Sequence, residues 1–378
     1  MARSEKTQKA LHITKKLSKR WFIDAFSGMA LGLFCTLIAG TIIGQIGSWC
    51  GANSFGKVLV YIGNIAKMLM GAGIGFGIAF KLKCKPLVMF SAAVTGLIGA
   101  FGGNIVNSLC VTGEFIPLTF GVPGNPIGSY IVVLFTVEIA ELYAGKTKLD
   151  IVLIPLGMML LTLGGIFIAW PFIKLVDLIG IGIAMAIQSG TAVKIIVGIF
   201  VAVIMGILLT MPTSSAAIWI AIAAAIPTEY AEALSIAGGA AVAGCAAHMI
   251  GFAVASFREN KWGGLISQGI GTSMLQIPNI MKKPQIIVPE IMASAFSGLA
   301  AVLFDLRCNA AGGGMGTSGL VGVFGTISES TNWNVPTINI VLGIILALFI
   351  IPAGVSLGVS EFMRKKQWIK FGDMKLDE

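Results

Sequence analysis

Gly269-Ile-Gly-Thr-Ser-Met-Leu275 and Gly314-Met-Gly-Thr-Ser-Gly-Leu320 repeat the pattern G-x-G-T-S-x-L and enclose one apolar run, Ile286 to Phe304. If that run crosses a bilayer, the two copies lie on opposite sides of it. Small residues let backbones approach closely, and each Thr-Ser pair supplies hydroxyls and backbone donors. Broken, Gly-rich segments that enter from both sides are how membrane transporters build solute sites. The plainer role for such residues is helix packing alone.

Working outward, the composition decides the class. The chain has 378 residues, 56% of them hydrophobic and 11% charged, with a mean hydropathy of +0.91. A soluble domain carries about 25% charged residues. Long apolar runs recur without the alternation of barrel strands, so the spans are helical. Glycine, 49 residues in all, falls inside these runs, as tightly packed or interrupted helices require.

Runs long enough to span lie at 22–47, 57–80, 87–109, 127–144, 151–174, 193–210, 233–257, 286–304 and 337–360. A shorter stretch, 214–226, sits between Pro212 and Pro227 and reads as a half-helix or a buried, tilted span. Lys and Arg cluster at 81–85, 146–148, 258–261, 282–283 and 364–366, and these clusters share one side only if the short stretch crosses. The expected fold is an all-α polytopic membrane protein with about ten transmembrane helices and two re-entrant Gly-rich hairpins. The hairpins fall at 263–280 and 312–327, and 179–190 reads as an extension along the outer interface.

Three regions follow: a basic amphipathic cytoplasmic head at 1–21, one transmembrane domain at 22–361, and a short cytoplasmic tail at 362–378. The net charge of +9 resides in loops and termini, so it sets orientation rather than nucleic-acid affinity. Both termini are expected inside. The six cysteines show no C-x-x-C spacing, and Cys50 and Cys110 are the one pair placed for an outer-side disulfide.

Ionisable residues within apolar spans are functional candidates, because burying charge in hydrocarbon is costly. Lys67 lies mid-span one turn after Asn64, as a coupling or structural charge. Glu138 and Glu141 share a helix face; Glu141 is expected to pair with Lys146 or Lys148, leaving the deeper Glu138 for a solute or cation. His248 lies in a Gly- and Ala-rich seam. Gln268, Thr272, Ser273, Gln276 and Asn279 offer uncharged donors and acceptors from the first hairpin, and Thr317 and Ser318 from the second. Met211-Pro-Thr-Ser-Ser215 breaks the chain, and Asn125-Pro126 is placed to cap a span. Uncharged hydrogen-bonding groups of this kind suit a sugar or polyol. The chain carries no recognisable catalytic motif, metal set, cofactor motif or phospho-acceptor site.

The stretches 22–32, 145–150, Gly244-Cys-Ala-Ala-His-Met-Ile-Gly-Phe252, 262–265, 271–279 and 314–321 resemble the phosphotransferase-system EIIC-like membrane proteins, also called perfringolysin O regulator-like or toxin-regulator proteins. The resemblance implies an EIIC-like, homodimeric permease of a bacterial cytoplasmic membrane, moving a sugar while IIA and IIB partners deliver phosphate. Solute would bind near the midplane, between the two hairpins and the fourth and eighth spans. The alternatives are an ion-coupled transporter of a small solute, using Glu138 or His248, and a membrane-embedded sensor that binds without moving its ligand.

Overall fold

A computed structural model describes residues 16, 17, 19–51, 53–113, 124–211, 215–224 and 227–376. Most of the basic head, His12, and the break at 212–214 lie outside the described residues. The chain divides into two compact units, Met1–Val176 and Asp177–Glu378. Among the described residues every regular element is helical.

The first unit contains α1 (Arg20–Ser48), α2 (Ser54–Met68), α3 (Met70–Lys81), α4 (Pro86–Ala100), α5 (Gly102–Cys110), α6 (Pro126–Tyr143) and most of α7 (Asp150–Gln188). The pairs α2–α3 and α4–α5 are single apolar runs bent by 52° and 53°. Glycines set how closely these helices approach: Gly32 of α1 abuts Gly73 of α3, and Gly99 of α4 abuts Gly128 of α6, backbone to backbone. Asn125 caps α6 as its sequence position indicates, its Oδ1 accepting from the amides of Ile127 (2.9 Å) and Gly128 (3.1 Å).

The second unit takes up the end of α7 and continues with α8 (Thr191–Thr210), α9 (Ser215–Ala224), α10 (Ala231–Ala255), α11 (Phe257–Ile266), α12 (Pro284–Leu303), α13 (Val321–Asn332) and α14 (Thr337–Lys365). α10 is its axis. This helix is apolar on every side and almost wholly buried, with α8, α12 and α14 packed around it. Small residues permit the contact: a methyl on Gly244 of α10 would collide with the carbonyl oxygen of Ala202 on α8.

Among the described residues seven helices are long and apolar enough to cross a membrane, or up to nine if each bent pair is one span. These nine correspond one for one with the nine long runs of the sequence, and α9 supplies the short tenth stretch. Residues 179–188 extend α7, which runs unbroken for 39 residues past Pro155 and Pro171. Two local expectations are corrected. Glu141 takes the backbone amide of Lys85 (3.2 Å) rather than Lys146 or Lys148, because the 81–85 loop folds against the end of α6. Cys50 and Cys110 are free thiols.

The segment after α14 folds back onto the first hairpin. Ile369 and Met374 are buried against Phe252, Ile280 and Ile286. The Asn260 side chain holds the Met374 carbonyl (2.8 Å) and the Leu376 amide (2.8 Å), and Lys283 pairs with Asp373 at 2.6 Å.

Candidate functional site

The two G-x-G-T-S-x-L segments meet. The first folds as a wide turn, Ser267–Gly271, followed by a tight one, Ser273–Gln276. The second is a run of turns entering Ser318–Leu320. Thr317 Oγ1 of the second donates to the carbonyl of Gly269 in the first at 2.6 Å, and lies 3.5 Å from Met249 Sδ on α10. Both segments rest on the same stretch of α10. A methyl on Gly269 would lie 3.5 Å from Ala253 Cβ, and one on Gly316 only 2.7 Å from the amide nitrogen of Ala246. Gly316 also has φ of +56°, so the second bend demands glycine there twice over. The same bend carries Leu320 at φ +60°, a left-handed conformation uncommon for a residue with a Cβ.

Below the first bend runs a chain of buried polar groups. Ser273 Oγ lies 2.9 Å from Thr210 Oγ1, the last residue of α8, and Thr210 Oγ1 lies 2.8 Å from His248 Nδ1 of α10. All three side chains are fully buried. The other imidazole nitrogen, Nε2, has no hydrogen-bond partner among the described residues. One nitrogen of this ring therefore carries unmet hydrogen-bonding capacity in either tautomer. On the side of the second bend, Ser215 at the start of α9 donates to the Gly314 carbonyl at 2.6 Å.

The remaining hairpin residues have other work. Gln276 Nε2 reaches Gln268 Oε1 (2.8 Å) and the Met374 carbonyl (3.0 Å), and Gln268 Nε2 reaches Ser256 Oγ (2.9 Å). Asn279 Nδ2 reaches Gln276 Oε1 (2.8 Å) and the Lys375 carbonyl (2.8 Å). The amide donors of Gln276 and Asn279 thus tie the hairpin to the C-terminal segment, while Gln268 accepts from Gln276 and donates to Ser256. Thr272 caps its own turn, accepting from the Met274 amide at 3.2 Å. Ser318 is half-buried at the start of its turn.

Glu138 and Lys67 belong to the first unit. Glu138 Oε1 accepts from Arg20 Nε (2.7 Å) and Trp21 Nε1 (3.1 Å), which secures the start of α1 to α6. Lys67 is half-buried in the last turn of α2.

Ser215 belongs to the break already singled out, whereas Thr210 and Glu290 escape a reading by residue type. Thr210 and Ser215 border the Pro212 break, where a helix end leaves backbone and hydroxyl groups free, and that signal was legible. Glu290 sits in the first regular α-helical turn of α12, which starts at Val288, where an acid reads as a helix-start residue. It is nevertheless fully buried, and its place four residues into an apolar run was the available signal.

The family model described as "Phosphotransferase system, EIIC" matches residues 23–376, and the chain belongs to that family. No curated protein and no solved structure matches it. The apolar helices and the family together make it a multi-pass membrane protein and a permease component of a phosphotransferase system.

Proposed function

We propose that this phosphotransferase-system EIIC protein moves a sugar, or a closely related polyhydroxy solute, across a bacterial cytoplasmic membrane. The solute is bound where the two Gly-Thr-Ser bends meet over α10. The observation that carries this reading is the Thr317–Gly269 hydrogen bond, which joins two copies of one motif at a buried point. Breaking a buried hydroxyl-to-carbonyl bond without replacement costs about 1–3 kcal/mol. A solute hydroxyl entering between the bends restores a partner to each side, so opening is favourable only when a polyol is present. Thr317, Ser273, Thr210 and the open nitrogen of His248 are the groups assigned to that solute. Ser318 and the Thr272 hydroxyl line the approach. Gln268 and Asn279 keep the first bend in shape, and Glu138 secures α1. Lys67 retains its reading as a structural charge.

No residue of this chain is assigned to carry phosphate, so IIA and IIB partners supply it. Both termini face the cytoplasm in this reading, which the one-sided distribution of Lys and Arg supports. Uptake into membrane vesicles tests the proposal. Uptake that requires phosphoenolpyruvate and soluble partner proteins is expected. Uptake driven by an ion gradient alone, or saturable binding without flux, overturns it in favour of an ion-coupled carrier or a sensor.

A further inference from the structure

Glu290 is fully buried on α12, and neither carboxyl oxygen has a hydrogen-bond partner among the described residues. Its Cγ lies 3.1 Å from the point where a Cβ on Gly251 of α10 would stand, and the Ser356 hydroxyl of α14 crowds the same point. Three helices therefore close on this carboxyl with no room left by a side chain at Gly251.

The charged and titratable groups on the surrounding elements are spoken for. On α8, Lys194 lies 3.5 Å from Asp305; on α10, Glu232 lies 3.0 Å from Arg307. On α14, Glu361 pairs with Arg258 (3.0 Å) and Arg364 with Glu259 (2.9 Å), while Lys365 is exposed. His248 on α10 is engaged through Nδ1 with Thr210, and the buried Cys245 thiol of α10 donates to the Met205 carbonyl at 3.4 Å. The opening turn of α12, Pro284–Ile287, and the stretch Ile344–Ile350 of α14, which pack on the rest of α12, hold no charged residue. No cation is paired with Glu290 among the described residues. An unpaired carboxylate in such a place is far costlier than a neutral carboxyl.

We propose that Glu290 is a proton-binding site, and that its proton is what allows α10, α12 and α14 to close on one another. When the seam opens, water reaches the carboxyl, the O–H bond breaks, and the proton passes to solvent, leaving a hydrated carboxylate. The seam recloses only after the proton returns. This inference concerns the packing of the second unit and does not rest on the identity of the solute.

A quantitative signature follows from single-proton linkage. Above the ordinary range of a glutamate, about pH 4.3, the opening equilibrium rises about tenfold per pH unit while the closed state keeps its proton. Hydrogen–deuterium exchange of the full chain in lipid nanodiscs, corrected for the intrinsic pH dependence of amide exchange, reads that equilibrium. In the wild-type protein, peptides from 244–256, 288–300 and 351–360 are expected to lose protection together, about tenfold per pH unit. Glu290→Gln and Glu290→Met, two non-ionisable replacements of similar volume, are expected to keep those peptides protected at every pH. His248→Gln, whatever it does to solute binding or to overall protection, is expected to keep the tenfold-per-unit dependence. A flat profile in the wild-type protein overturns the proposal without any variant. So does a pH dependence that survives in either Glu290 variant, or one that disappears in His248→Gln.

Discussion

Thr317 and Gly269 lie 48 positions apart, yet the hydroxyl of one donates to the carbonyl of the other at 2.6 Å in a fully buried setting. This bond ties one copy of the G-x-G-T-S-x-L pattern to the other. It distinguishes two threonines that the motif makes equivalent, since Thr272 in the first copy only caps its own turn.

Thr317→Val leaves the Gly269 carbonyl without its partner, at a cost of about 1–3 kcal/mol. The thermal midpoint is expected to fall, and affinity for the transported solute to weaken about tenfold. Thr272→Val removes a cap worth about 1 kcal/mol and should lower affinity much less. Equal losses of affinity in the two variants, measured by equilibrium binding, would sink the distinction.

Gly244→Ala forces a methyl into the Ala202 carbonyl, backbone against backbone, where no flexible side chain can yield. A destabilisation of about 1–3 kcal/mol is expected from overpacking. Gly354→Ala on α14 meets nothing within 4 Å and serves as the control, expected to be neutral or slightly stabilising. Thermal unfolding of both in detergent decides the matter.

Asp373 reports on the C-terminal segment. Burial by itself would raise its pKa, but hydrogen bonds from Lys283 and the Lys370 amide, and the charges of Lys283 and Arg364, leave it below the ordinary value of 3.8. A depressed carboxylate contributes stability that is present above its unfolded pKa and is lost as pH falls through its folded pKa. The stability difference between wild type and Asp373→Asn should therefore be constant at neutral pH and shrink only below pH 3.8. Paired pH titrations of thermal stability test this. A difference that already vanishes near neutrality would show that the carboxylate is not held in this way.

Glu138→Gln removes the charge that holds Arg20 while keeping an oxygen for Trp21. A partly exposed ion pair contributes about 1 kcal/mol at most, so a small loss of thermal stability is expected. The pH profile of uptake should match wild type. A shifted profile would return Glu138 to the transport machinery.

Much of the architecture was open to a reader of the sequence. Each long apolar run became a helix, two of them bent, at Leu69 and Phe101, just ahead of closely spaced glycines (Gly71, Gly73 and Gly75; Gly102 and Gly103), and Asn125 capped where its position said it would. The site was legible only in part. Ser273, His248 and Thr317, singled out by residue type, lie together around α10, whereas Asn279 bonds the C-terminal segment and Gln268 bonds Ser256. Type announces what a side chain is able to bond; it is silent on which partner arrives first.

What the chain determined by itself was its solvent. Apolar composition over about twenty residues at a time is a local property, and a bilayer reads it locally. The meeting of two distant bends, the bonding of the Asn260, Gln276 and Asn279 amides to the 374–375 carbonyls, and the isolation of Glu290 were decided only by tertiary structure. Each depends on which distant groups share a buried space. There an unmet hydrogen bond or charge carries its full cost, and that cost is set by neighbours rather than by sequence position.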